Sequence, residues 1–123
     1  MDVNRQCTFE IQTQGDACIV RIVGRLATGM ADDSLESKAQ TIKSLGWRKI
    51  VVDASKLDSI GSTGIGFFVD LYTSAARTGR HFVLVAPAPR VAEVLRLTGL
   101  SKIMPTASDL AHALALHDET NSG

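Results

Sequence analysis

The spacing of hydrophobic residues changes at Gly24, and this change restricts the chain to a mixed α/β fold. Before Gly24, apolar residues alternate with polar ones in 7–14 and 18–23, which is typical of half-buried strands. After it, helical spacing alternates with short apolar runs; the helices are predicted at 35–45, 65–78, 89–98 and 108–117, and the strands at 49–53, 82–86 and 102–104. The predicted order is β-β-α-β-α-β-α-β-α, with a mixed sheet covered by helices.

A two-residue turn, Gly15–Asp16, separates the first two strands, and glycine in its first position suits a type II′ hairpin. Pairing across this turn places Ile11 opposite Val20, so the apolar faces of both strands coincide. The same register separates Cys7 from Cys18, and the two cysteines lack C-x-x-C spacing. We therefore expect neither a disulfide nor a redox motif.

Charge and length exclude several classes of protein. The 123 residues include 13 Lys or Arg and 13 Asp or Glu, so the formal net charge is zero. Nucleic-acid binding needs concentrated basic residues and is not expected. No apolar segment like that of a secretory signal follows the first residues, and no apolar run approaches the roughly 18 residues of a spanning helix, so we expect a cytoplasmic protein without membrane insertion. The length predicts one domain, 1–117, and a flexible polar tail, 118–123.

The candidate functional segment, 53–66, lies between a predicted buried strand and the best-defined helix. It contains two adjacent hydroxyl residues, Ser62 and Thr63, among three glycines. Backbone N–H groups and the positive end of the dipole at a helix N-terminus stabilise an anion. Two interpretations stay open: either Ser62 or Thr63 caps the helix, or one hydroxyl has a functional role.

Three enzyme motifs fail in this segment, each at a specific residue. A nucleophile elbow needs glycine at position 60, where the chain has Ile60. A phosphate-binding loop starting at Gly61 needs lysine where Phe67 lies, and a dinucleotide fingerprint needs glycine where Val69 lies. The chain also has three histidines: His81 is interpreted as structural, and His112 and His117 as surface residues of a helix. We predict a non-enzymatic protein with no catalytic residue, no cofactor and no metal.

The segment 57–66, Leu-Asp-Ser-Ile-Gly-Ser-Thr-Gly-Ile-Gly, resembles the signature of STAS domains, which include bacterial anti-sigma factor antagonists and the tails of sulfate transporters. Two further matches support the resemblance: 24–26 matches the Gly-x-Leu of the family, and 97–100 matches its Ser/Thr-Gly-Leu. The predicted order of elements also agrees. The resemblance therefore implies an STAS-like α/β fold over nearly the whole chain.

The resemblance also implies a function. In single-domain antagonists, a serine kinase of the GHKL type, which is also the anti-sigma factor, phosphorylates the first serine of the signature, and a metal-dependent serine phosphatase can reverse the reaction. The matching residue is Ser62, with Thr63 as second choice. The implied partner-binding residues are Gly61, Ser62, Thr63, Gly64, Ala27 and Thr28. A phosphate there adds about −1.5 to −2 charges and blocks a docking surface.

Three residues differ from the pattern of the family. Gly61 and Ala27 replace acidic residues, and Arg25 lies where many antagonists have glutamate. In relatives these acids belong to the region that meets the kinase, so their replacement predicts either a changed charge preference or loss of the phosphorylation cycle. The alternative function is a scaffold or accessory subunit of a signalling or lipid-transport complex. A small phosphate-handling enzyme ranks third, and the oligomeric state is not predicted.

Overall fold

A computed structural model describes residues 7–26 and 32–115. The strands are β1 (Cys7–Gln14), β2 (Ala17–Leu26), β3 (Lys49–Ile60), β4 (His81–Val85) and β5 (Thr106–Ala107). The helices are α1 (Asp32–Ser44), α2 (Ser62–Arg77), α3 (Pro89–Leu97) and α4, of which 110–115 is described. A 3-10 turn, Leu100–Lys102, precedes β5. The predicted tail, 118–123, and His117 lie outside the described residues.

The sheet is mixed, with strands in the order β1-β2-β3-β4-β5. β1 pairs antiparallel with β2, and the later neighbours are parallel. Ile11 lies opposite Val20 and Cys7 opposite Gly24, which confirms the predicted hairpin register. Gly15 has a φ of 62°, as the first residue of a type II′ turn requires. Both cysteines are free thiols, as expected.

Strand β3 is longer than the predicted run 49–53, because the segment expected to be a loop continues as a strand to Ile60. It stays paired with β2 through two register shifts, one of them between Gly24 and Arg25. Such irregularities interrupt the alternation of side chains. The buried residues Ala54, Leu57 and Ile60 are consequently three positions apart, so this half of the strand carries no period-two signal.

The prediction of a strand at 102–104 was wrong. The amides of Ile103 and Met104 both donate to the carbonyl of Leu100, which closes a turn, and Ile103 is 52% exposed. The last strand begins instead at Thr106, directly after Pro105. It lies at the sheet edge, where a preceding proline costs no ladder hydrogen bond.

Helices cover both faces of the sheet. On one face α1, α2 and α3 enclose the larger core, which includes Val20, Val52 and Phe68. On the other face α4 packs through Ala113 on a smaller cluster that contains Val51. Alternate residues of one parallel strand therefore enter different cores, as in sheets covered on both sides. In the described ranges no helix is long and apolar enough to cross a membrane.

Candidate functional site

The site lies where β3 ends and α2 begins. The N-cap of α2 is Gly61, whose backbone is extended with φ −106° and ψ −168°, and the first helical residue is Ser62. The amide of Gly61 donates to the Leu26 carbonyl over 2.7 Å, and its carbonyl accepts from the amide of Ile65 over 3.0 Å. These two backbone hydrogen bonds fix the helix start against the end of β2.

The capping interpretation of the two hydroxyls is wrong. The cap position belongs to Gly61, which has no side chain to accept an amide hydrogen bond. Ser62 and Thr63 are the first two helical residues; Ser62 is exposed and Thr63 half-buried. The sequence did not predict the position of this cap, because β3 extends directly to the helix and a single residue links the two.

Gly64 faces inward and explains why the first turn of α2 lies close to the sheet. It is buried against Leu26 and Ile60, with no room for a Cβ, whereas Gly66 is exposed. The predicted site residues Gly61, Ser62, Thr63 and Gly64 are thus together on one helical turn. Ala27 and Thr28 lie outside the described residues.

A cleft opens at the carboxyl ends of the parallel strands, between the end of β2 and the start of α3. Its volume is about 740 Å³, and it is lined by Arg25, Asp58, Ala88, Pro89 and Arg90. A smaller groove of about 420 Å³ continues from it and is lined by Ser59, Ile60, Pro89, Arg90, Glu93 and Val94. Open α/β sheets bind ligands at this edge. The sequence did not lead us to predict Arg90 as a site residue, although its position just after Pro89, at the start of a predicted helix, could have indicated it.

Asp53, part of the candidate segment, belongs to the sheet rather than to the site. Its carboxylate accepts hydrogen bonds from Arg21 Nε at 3.2 Å and from the amide and hydroxyl of Ser55 at 3.0 and 2.7 Å. Burial raises the pKa of Asp53, but the hydrogen bonds from Ser55 and Arg21 lower it by more, so the net pKa is below its ordinary value. Asp53 therefore stays ionised as a structural group.

The histidines and the other acidic residues form no shared centre in the part of the chain that the structure describes. His112 contacts Asp109 at the start of α4, where the Asp109 carboxylate also accepts the His112 amide over 2.8 Å. His81 is the first residue of β4. In residues 7–26 and 32–115, no group of three His, Cys, Asp or Glu side chains is arranged to hold a metal ion.

The sequence model of the STAS domain matches residues 8–113, which include every described strand apart from Cys7, the first residue of β1. The chain belongs to the STAS-domain family. A Thermotoga neapolitana protein, named as a homologue of the anti-sigma factor antagonist TM1081, is 35% identical over 69 residues. That match covers 56% of this chain and 61% of the relative, which is less than two thirds of the relative's length.

Solved STAS structures share the fold. An anti-sigma factor antagonist from Mycobacterium paratuberculosis superimposes with a TM-score of 0.79 at 24% identity, covering 89% of this chain and 92% of that one. Unphosphorylated SpoIIAA, an anti-sigma factor antagonist, gives 0.74 at 18% identity, covering 91% and 97%. The Bacillus SpoIIAA structure in its phosphorylated form gives 0.63 at 19% identity, covering 82% and 92%. The mixed α/β fold predicted from the sequence is confirmed.

Proposed function

We propose that this STAS domain is a non-enzymatic switch of the anti-sigma factor antagonist type. It binds a serine kinase of the GHKL type that is also an anti-sigma factor, and phosphorylation of Ser62, with Thr63 as second choice, releases it. The observation that carries the proposal is the exposed Ser62 at the first position of α2, within the STAS signature. The proposed contact surface comprises Gly61, Ser62 and Thr63, together with Ala27 and Thr28, and Gly64, which is buried beneath this turn, positions it.

A phosphate on Ser62 is compatible with the folded domain. The first turn of α2 contains no acidic residue, so the positive end of the helix dipole faces a new anion without a competing carboxylate. The dipole favours such a charge by about 0.3–1 kcal/mol. Phosphorylation therefore changes the surface by about −1.5 to −2 charges without melting the helix. The added charge therefore acts on the binding of the partner.

Two structures of a relative support the proposed regulation by phosphorylation. SpoIIAA is known in unphosphorylated and phosphorylated forms, both with this fold. By analogy, the proposed cycle is completed by a metal-dependent serine phosphatase. Both enzymes act on a protein in the cytoplasm.

The test is a reaction of the full chain with ATP and a candidate GHKL-type serine kinase taken from its genomic neighbourhood. Trypsin cleaves after Lys56 and Arg77, so one peptide, 57–77, carries Ser62. Fragmentation of this peptide assigns the phosphate to one residue. We expect a single phosphate on Ser62, its loss in Ser62→Ala, and its retention in the matched control Ser59→Ala.

A second function, a scaffold without phosphorylation, is favoured by one observation. Arg25 and Gly61 stand where kinase-regulated relatives carry acids, and Arg25 lines the cleft beside the helix start. The scaffold predicts no phosphate on peptide 57–77 and partner binding that is unchanged in Ser62→Asp. The switch predicts loss of binding in Ser62→Asp. Turnover of a phosphate substrate by the isolated chain would contradict both.

A further inference from the structure

The cleft between the end of β2 and the start of α3 is lined by two basic side chains and one acidic side chain, although the whole chain has no net charge. Arg25 and Arg90 are exposed and line its two sides. In the described ranges neither guanidinium makes an ion pair, and the same is true of Asp58, the one carboxylate of the larger cleft. Two unpaired positive charges therefore face one unpaired negative charge.

Two further features make this edge more positive. Glu93, in the adjoining groove, is neutralised by Arg96, whose Nη2 lies 2.6 Å from its carboxylate. The helices α2 and α3 both begin at this edge of the sheet, and neither has an acidic residue in its first turn. Their N-terminal partial charges are positive. The electrostatic potential at this edge therefore has positive contributions from two arginines and two helix N-termini and a negative contribution from Asp58.

We propose that the partner of the Ser62 surface presents an acidic protein segment, which enters the cleft between Arg25 and Arg90. This inference rests on the proposed function, because it concerns the partner of the same surface. An acidic protein segment fits better than nucleic acid, since two arginines neutralise far fewer phosphates than the about 6–10 contacts of typical DNA-binding proteins. Complementary charge of this kind steers association and selects the partner.

The charge of the cleft also explains how one phosphate acts as a switch. Arg25 and Ser62 are each within two residues of the Leu26–Ile60 pair, which joins the ends of β2 and β3. A phosphate on Ser62 brings about −1.5 to −2 charges, which offset the two guanidinium charges. The modified surface then repels the acidic segment that the unmodified surface attracts.

The first experiment needs no kinase. The isotope-labelled full chain is titrated with an eight-residue glutamate-rich peptide at low salt, and amide chemical shifts are recorded. We expect shifts at Arg25, Asp58 and Arg90, with binding weakened about tenfold or more by Arg25→Glu combined with Arg90→Glu. Arg77→Glu is a control, because it removes an exposed arginine from the other end of α2. A circular dichroism spectrum of each variant confirms that it is folded.

Three outcomes of this titration overturn the inference: no shift with the glutamate peptide, equal shifts with a lysine-rich peptide, or tighter binding at the same amides by a short single-stranded DNA. The second experiment measures association with the kinase. If wild-type chain binds and Arg25→Glu associates at the same rate, the inference fails while the proposed function stands. If wild-type chain does not bind the kinase, the proposed function fails and the peptide titration alone decides this inference.

Discussion

Gly64 lies so close to Leu26 that a Cβ at position 64 would be 2.7 Å from the Leu26 Cβ. The same atom would lie 2.6 Å from Cγ1 of Ile60, and both distances are shorter than real Cβ contacts allow. The first turn of α2 thus packs directly on the last residues of β2 and β3. This contact holds Ser62 and Thr63 at the edge of the sheet.

The first prediction is that Gly64→Ala destabilises the domain by about 1–3 kcal/mol, because the added methyl forces α2 away from the sheet. Gly66→Ala is the matched control on the same helix, since no atom lies within 4 Å of its added Cβ. It should stabilise the domain by about 0.5–1 kcal/mol, the usual gain from alanine inside a helix. Urea unfolding of both variants measures the difference, and equal stabilities would contradict the packing argument.

Lys49 holds α4 on the sheet, so we predict that Lys49→Met loosens this helix. The residue is 2% exposed, and its ammonium donates to the carbonyls of Ala113 and Leu114, each over 2.6 Å. Loss of these charged hydrogen bonds should cost about 1–3 kcal/mol. Unfolding in urea and hydrogen exchange of the Ala113 amide both report the change.

The control for Lys49 is its exposed neighbour Arg48, whose Nε lies 3.8 Å from Asp16. Arg48→Met should change the free energy of unfolding by less than about 0.5 kcal/mol, as is usual for exposed ion pairs. Slow exchange of the Ala113 amide in Lys49→Met would show that apolar packing alone holds α4.

Asp53 makes the free energy of unfolding depend on pH. Because hydrogen bonds lower its folded-state pKa below the ordinary value of 3.8, the unfolded chain binds the proton first as the pH falls. The contribution of Asp53 is therefore complete above pH 3.8 and is lost as the pH falls through the folded-state pKa. Asp53→Asn should destabilise the domain by about 1–3 kcal/mol at pH 7, and by less below the ordinary pKa.

Urea unfolding at pH 7 and pH 3 tests this prediction, with Asp58→Asn as the exposed control in the same strand. The difference in stability between wild type and Asp53→Asn should narrow at the lower pH, whereas Asp58→Asn should resemble wild type at both. An equal difference at both values would mean that the charge of Asp53 does not contribute.

Gly61→Asp should stabilise α2 by about 0.3–1 kcal/mol, because it supplies the missing cap oxygen and a negative charge at the helix start. The extended backbone at position 61 suits any residue. Gly61→Ala lacks the oxygen and should bring no such gain; thermal unfolding compares the two. A gain of equal size in both variants would assign the effect to the loss of glycine rather than to capping.

Much of the fold was predictable because its signals are local. The register of β1 with β2 follows from alternating residues such as Ile11 and Val20, and the glycine-first turn leaves one way to close the hairpin. The composition of 53–66 also singled out the candidate site, which stays a prediction. The strand predicted at 102–104 was wrong, because three residues with two apolar side chains fit a turn as well as a strand.

The sequence by itself determined the mixed α/β architecture, the hairpin register and the STAS signature, since hydrophobic period and turn residues act over a few neighbours. Only the tertiary structure decided that β3 reaches Ile60, that Gly61 rather than Ser62 caps α2, and that Arg25 and Arg90 share one cleft. The reason is physical: strand irregularities, helix starts and clefts depend on pairing between segments far apart in the chain. Here that pairing joins residues from β2, β3 and α3, and no local pattern encodes it.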